Sequence, residues 1–177
     1  LKAEGVFDLN KSIGIPMFAQ RIAVISSETA AGYGDFCAQL ADNPYGFQFC
    51  TRLFPAVMQG EMVEESIINA LDSINAEIEE FDVVVIIRGG GATSDLSGFD
   101  TLALAENVAN FPLPVITGIG HDRDESVLDM ISCVRVKTPT AAADFLISNL
   151  AATLAQIEDL GHRLVNHIKE RLSAEKV

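Results

Sequence analysis

The stretch Asp82-Val-Val-Val-Ile-Ile-Arg88, which runs straight into Gly89, Gly90 and Gly91, limits the fold more than any other part of the chain. Its β-branched residues favour an extended backbone, and with no polar alternation neither face of that strand can meet water. Such a strand belongs inside a parallel sheet covered by helices on both sides. Arg21-Ile-Ala-Val-Ile-Ser-Ser27 and Pro114-Val-Ile-Thr-Gly118 follow the same pattern, and Phe47 to Phe54 alternates in part before Pro55. Helix formers fill the intervals Ala30 to Ala41, Glu61 to Ile78 and Thr101 to Asn110. The second interval carries Val63, Ile67, Ile68 and Leu71 at helical spacing. The order βαβαβαβ predicts an α/β fold: an open, mostly parallel, Rossmann-like sheet with helices on both faces. In such sheets the binding site lies at the carboxyl ends of the strands. Val134 to Lys137 and a helix from about Thr140 complete the layers.

That last helix does not stop at the domain. Ile147, Leu150, Leu154, Ile157, Gly161, Leu164 and Ile168 follow alternating steps of three and four, the seam that begins a coiled coil. An amphipathic helix lying on the sheet is the competing reading. At the other end, Leu1 to Gln20 mixes Gly5, Gly14 and Pro16 with isolated apolar residues and reads as an exit from a preceding domain. The expected division is a linker over 1–20, the α/β domain over 21–145, and the start of a long helix over 146–177.

With 177 residues, 49% of them hydrophobic, the chain can bury one real core. No apolar run approaches the ~20 residues that span a bilayer, and the first twenty residues lack a secretory pattern, so the expectation is no membrane and a cytoplasmic location. Cys37, Cys50 and Cys133 are odd in number and form no CxxC pair, which points to structural thiols. The formal net charge of -13 opposes non-specific attraction to a phosphate polymer. A nucleic-acid substrate would need a partner or a further domain to hold it.

Chemistry collects at two turns that follow predicted strands. In the first, the glycines Gly89, Gly90 and Gly91 allow successive backbone N–H groups to face one anion, and Arg88 adds a planar, permanently charged fork that suits phosphate oxygens. A flexible loop with Arg88 paired to an acid is the plainer alternative. Neither a Walker loop nor a dinucleotide fingerprint is present. The second turn, Gly118-Ile-Gly-His-Asp-Arg-Asp-Glu125, sets His121 and Asp124 at the same sheet edge. His121 can accept a proton from water or deliver one to a leaving oxygen, while Asp124 can orient the ring or position water. One His with acids one, three and four residues on is no specific metal-ligand spacing, so no metal ligand is assigned. Asp35 follows the double hydroxyl Ser26-Ser27 and either faces this edge or is an ordinary exposed helix acid. Thr138-Pro139-Thr140 is a good helix entry, capped by Thr138 or Thr140, whose amino end can also face phosphate.

Taken in order, Arg21 to Ser27 with Asp35, Phe54-Pro55 with Gln59-Gly60, Arg88 to Gly91 with Asp95-Leu96 and Phe99, Gly120-His121 with Asp124, and Thr138-Pro139-Thr140 with Ala141 to Ala143 resemble the exodeoxyribonuclease VII large-subunit family. The resemblance runs over nearly the whole chain. It departs at Glu28, where the family usually has Pro, and at Ala92, Ser97 and Asp144, where it has Ser, an aromatic residue and Glu. It implies an oligonucleotide-binding domain before this segment and a helical region after it that recruits small subunits of the enzyme, here truncated. It implies hydrolysis of single-stranded DNA to oligonucleotides with 5′-phosphates, with Asp35, Arg88, His121 and Asp124 at the catalytic positions. No cofactor is obligatory on this reading, and Mg2+ is compatible with it. Gly89, Gly90, Gly91, Ser26, Ser27, Thr138 and Thr140 are the expected phosphate and DNA contacts. The rival readings are an α/β module that binds a phosphorylated ligand without cleaving it, and a scaffold that assembles through its coil.

Overall fold

The computed structural model describes residues 6–89, 96–120 and 126–174. Five strands, β1 (Arg21–Ser26), β2 (Cys50–Pro55), β3 (Val83–Ile87), β4 (Val115–Gly118) and β5 (Val134–Arg135), form one sheet in the order β2-β1-β3-β4-β5. Every neighbouring pair is parallel, with Ile22 opposite both Thr51 and Val83, and Ile86 opposite Thr117. The chain leaves β1 outward to β2 and returns to place β3 on the other side of β1. The sheet therefore reverses its winding between β1 and β3, the position where open α/β sheets open a crevice at their carboxyl ends.

Alternation along the strands divides the core into two layers. Ala23, Ile25, Val84 and Ile86 pack with Val63, Ile67 and Leu71 of α3 (Val63–Ala76) and with Leu104 and Val108 of α4 (Leu102–Ala109). Ile22, Val24, Val83, Val85 and Ile87 face the opposite way, against Phe36 and Leu40 of α2 (Ala31–Ala41) and Ala142, Ala143 and Leu146 of α6 (Pro139–Ala174). Val83 to Ile87 are fully buried, as an unbroken apolar run requires.

Three features differ from the sequence reading. Residues 6–20 are not bare connection: α1 (Leu9–Ile13) sits against the body, and the buried Asn10 side chain bonds four backbone groups. Its Nδ2 donates to Phe111 O and Leu113 O, and its Oδ1 accepts from Val115 N and Cys133 N. Phe47 to Phe49 do not join β2; Asn43 accepts from Tyr45 N and Phe47 N and donates to Phe47 O, which anchors Phe47 to the turn that precedes it. A short helix, α5 (Val127–Ile131), precedes β5 and begins with a capping box between Ser126 and Asp129.

Helix α6 contains 36 residues. Its first half packs on α2 and on the segment before β1, where Asn149 and Thr153 donate to Pro16 O and Met17 O. Beyond Thr153 it leaves the body, and Leu154, Ile157, Leu160, Leu164, Val165, Ile168 and Leu172 are exposed. Among the described residues no helix is long and apolar enough to cross a membrane.

Candidate functional site at the carboxyl edge of the sheet

Three backbones meet where β1 and β3 end. A methyl group on Gly32 would stand 2.8 Å from Gly89 Cα and 2.8 Å from Pro139 Cγ, closer than non-bonded carbons approach. One on Gly89 would stand 3.0 Å from Gly32 N and 3.3 Å from Ala31 N. The lack of side chains at these two positions lets the amino end of α2 close onto the end of β3. A methyl group on Gly118 would lie 3.2 Å from Thr138 O, which brings the end of β4 to the start of α6. The amino ends of two helices thus converge on one edge, and their first N–H groups have no partners within the helices.

Arg88 follows β3 and continues its ladder, with its backbone N donating to Gly118 O at 3.3 Å. The residue is only 8% exposed, and burial pulls the guanidinium below its usual range. Arginine starts so high that it keeps its charge at any physiological pH. By strand alternation Arg88 belongs with Val84 and Ile86, on the α3/α4 side of the edge. Ser26 ends β1 on the opposite side, in the row of Ile22 and Val24. It is fully buried, and among the described residues its Oγ has no hydrogen-bond partner. Ser27 lies at the rim, its hydroxyl 3.3 Å from that of Thr29.

Thr138 caps α6, its Oγ1 accepting from Ala141 N at 3.1 Å and lying 3.0 Å from Thr140 Oγ1. Pro139 occupies the first helical position, where its missing N–H costs nothing. Asp35 is exposed on α2, one turn after Gly32. Lower down, Gln39 Nε2 donates to Asp144 Oδ1 at 2.7 Å between α2 and α6. A step back of four residues on each helix leads from Gln39 to Asp35 and from Asp144 to Thr140. Asp35 thereby shares the row between the helices with the entry to α6.

Gly90, Gly91, His121 and Asp124 lie outside the described residues. Both flanks of the 121–125 segment are described. Gly118, Ile119 and Gly120 lead into it buried. On leaving it the chain is clamped: Ser126 Oγ accepts from Asp129 N, Asp129 accepts from Ser126 N, and Val127 N donates to Asp100 Oδ1 at 2.7 Å. The sequence reading missed Gly32 and this clamp. Ser126-x-x-Asp129 was the available signal, an Asp version of the capping-box pattern.

Among the described residues no group of three or more His, Cys, Asp or Glu side chains is placed to hold a metal ion. The three thiols are unpaired, with Cys50 exposed. An open groove lined by Leu71, Asp72, Asn75, Glu106, Asn110 and Phe111 lies between α3 and α4, at the amino edge and away from the convergence.

Comparison with known proteins gives a consistent result. A family model described as "Exonuclease VII, large subunit" matches residues 6–177. The exodeoxyribonuclease 7 large subunit of Nostoc sp. is 41% identical over 151 residues, covering 85% of this chain and 36% of that protein. Its counterpart in Lactobacillus helveticus is 34% identical over 176 residues, or 99% of this chain and 39% of that protein. The Deinococcus radiodurans protein is 35% identical over 161 residues, covering 90% and 39%. The chain thus spans well under half the length of these relatives.

Proposed function

Because the chain belongs to the exonuclease VII large-subunit family, we propose that it is the catalytic α/β part of such a subunit, hydrolysing phosphodiester bonds of single-stranded DNA to 5′-phosphorylated oligonucleotides. Family membership favours this reading over a phosphate-binding module without chemistry. The observation that carries it beyond the family is the meeting of Arg88, Gly89 and two helix amino ends at the winding reversal of the sheet.

Hydrolysis builds negative charge on the nonbridging oxygens of the scissile phosphate, and the useful residues are those that bind that charge more tightly in the transition state. Arg88 and the N–H groups of Gly89, Gly90 and Gly91 take this role. A buried guanidinium has little water to reorganise around it, so its charge acts at short range on the reacting group. His121 moves the proton, Asp124 orients His121, and Asp35 positions water or supports the phosphate cradle. Ser27 and Thr140 contact the strand at the rim. This scheme needs no cofactor, and a Mg2+ ion at the acids is compatible with it. Small subunits of the enzyme dock on the apolar stripe of distal α6, and the assembly works in the cytoplasm.

The test uses the full-length large subunit assembled with its small subunits on a labelled single strand, with duplex as control. Arg88→Ala and His121→Ala are each expected to slow cleavage by about a hundredfold or more. Wild-type rates in both variants would overturn the assignment. Repeating the assay with a chelator decides the metal question, since loss of cleavage would make an ion obligatory.

A further inference from the structure

The chemistry proposed above is carried by two segments, Arg88 with residues 89–91 after β3, and residues 121–124 after β4. They can act on one phosphate only if their spacing is held, since a misplacement of about 1 Å can cost about a hundredfold in rate. Hydrogen bonds join the stretches that flank the two segments. On the side where the chain enters them, Arg88 N donates to Gly118 O at 3.3 Å, continuing the ladder between β3 and β4. On the side where it leaves them, Val127 N donates to Asp100 Oδ1 at 2.7 Å, a length typical of a charge-assisted bond. The first bond follows from strand pairing, which any backbone supplies. The second depends on one side chain, 27 positions from its partner.

Asp100 is exposed, yet its backbone has little freedom. Phe99 before it is buried in the α3/α4 layer, Asp100 N donates to Ser97 O, and Thr101 after it caps α4 by accepting from Leu104 N. Val127 stands on an equally firm base. Ser126 and Asp129 cap α5 reciprocally, and Ser132 beyond its far end lies 3.0 Å from Thr117 Oγ1 of β4 and donates to Asp129 O. Both ends of the stretch that carries His121 and Asp124 are thereby fastened to α5. The capping box satisfies Ser126 N and Asp129 N and leaves Val127 N, which has no partner within the helix, to Asp100. We propose that Asp100 is a positioning residue: its carboxylate fixes the spacing between the segment of Arg88 and the glycines and the segment of His121 and Asp124, so that both reach the same phosphate. It acts through Val127 N and moves no proton. The inference rests on the nuclease reading. A plain helix cap would supply stability alone, whereas a spacer between two catalytic segments sets the rate of the chemical step.

The test follows single turnovers of a labelled single strand by the full-length large subunit assembled with its small subunits, with enzyme in excess. The limiting rate constant then does not depend on how much of the enzyme is folded, whereas the half-saturating concentration does. Asp100→Ala is expected to lower the limiting rate constant about tenfold or more and to leave the half-saturating concentration within about twofold of wild type. Asp100→Asn keeps an acceptor oxygen in the same place and should restore the rate to within about threefold. Asp100→Glu keeps the charge but moves the acceptor by one carbon–carbon bond, about 1.5 Å, and should fall between Asn and Ala. The comparison of Asn with Glu stands even where Asp100→Ala fails to assemble. An unchanged limiting rate constant in Asp100→Ala, or a loss confined to the half-saturating concentration, would overturn the inference. So would Asp100→Glu cleaving faster than Asp100→Asn, because charge and not place would then be the requirement. Failure of the two readings is separable. An assembled wild type that leaves the strand intact would sink the nuclease reading. A wild type that cleaves, an Arg88→Ala variant that does not, and an Asp100 series at the wild-type rate would sink this inference alone.

Discussion

Asp82 shows how one side chain secures a parallel sheet at its amino edge. It accepts from Gln20 N at 3.1 Å, from Arg21 N at 2.8 Å and from the Arg21 guanidinium at 2.7 Å, tying the start of β1 to the start of β3. Burial alone pushes this carboxyl up, but the bonds from the Arg21 side chain and the two backbone amides, with the charge of Arg21, outweigh it and hold it below the usual range. A carboxyl lowered in the folded state contributes stability above its unfolded value, near pH 4, and loses it as the pH falls through the folded value. Asp82→Asn should therefore cost about 2 kcal/mol at neutral pH, and the gap to wild type should close below about pH 4. Urea unfolding of both proteins across that range measures it, and a gap that does not change with pH would contradict the assignment. Asn10 acts similarly at the other end of the sheet, where one amide satisfies four backbone groups. An isolated Asn in a segment with Gly and Pro gives no hint of this, because its partners lie more than a hundred positions away.

At the scale of elements, the candidate site depends on how closely α2 approaches β3. Gly32→Ala places a methyl against the backbone of Gly89, which cannot move aside as a flexible side chain could. Overpacking of this kind costs about 1–3 kcal/mol. Differential scanning calorimetry should show a lowered melting temperature, whereas Gly34→Ala, with open space around its position, should be neutral or slightly stabilising. Helix α6 changes character along its axis: Ala142, Ala143 and Leu146 bury against the sheet, while Leu154, Ile157, Leu164 and Ile168 are exposed. If distal α6 is the docking stripe proposed for small subunits, Leu164→Glu should leave the melting of the α/β body unchanged and abolish co-purification of the full-length large subunit with them. A lowered melting temperature with intact assembly would reverse that assignment. The alternating three-and-four spacing of this stripe was legible in sequence because helical periodicity is a local property.

For the whole molecule, charge and site pull in opposite directions. A net charge of -13 repels a polyanion at long range, while the carboxyl edge concentrates Arg88 and two helix amino ends at short range. Local fields act within a Debye length of about 8 Å at physiological salt, so a bound phosphate feels the edge more than the distant acids. A strand approaching from solution meets the net charge first. Fluorescence anisotropy should therefore show this chain alone binding a labelled single strand at least about tenfold more weakly than the full-length large subunit. Equal affinity would mean that the α/β part carries the whole grip.

The layered α/β class, four of the five strands and the three crossover helices were legible in the amino-acid sequence, because each rests on local pattern: unbroken apolar runs and helical spacing; for the candidate site, the local signal of glycines just after strands reached no further than the carboxyl edge as an expectation. The short helices α1 and α5 were not, since five residues carry too little periodicity to register. Only the tertiary structure decided which residues share the edge. The strand order put Ser26 beside Arg88 on opposite sides of the sheet, and the approach of α2 turned Gly32 from an ordinary helix residue into a packing requirement. Strand order and helix approach are set by contacts between residues far apart in the chain, and no window of sequence contains them. Ser26 is the sharpest instance: in the sequence it is one of two serines ending a strand, and the fold alone separates the one fully buried on the α2/α6 side of the sheet from the one at the rim.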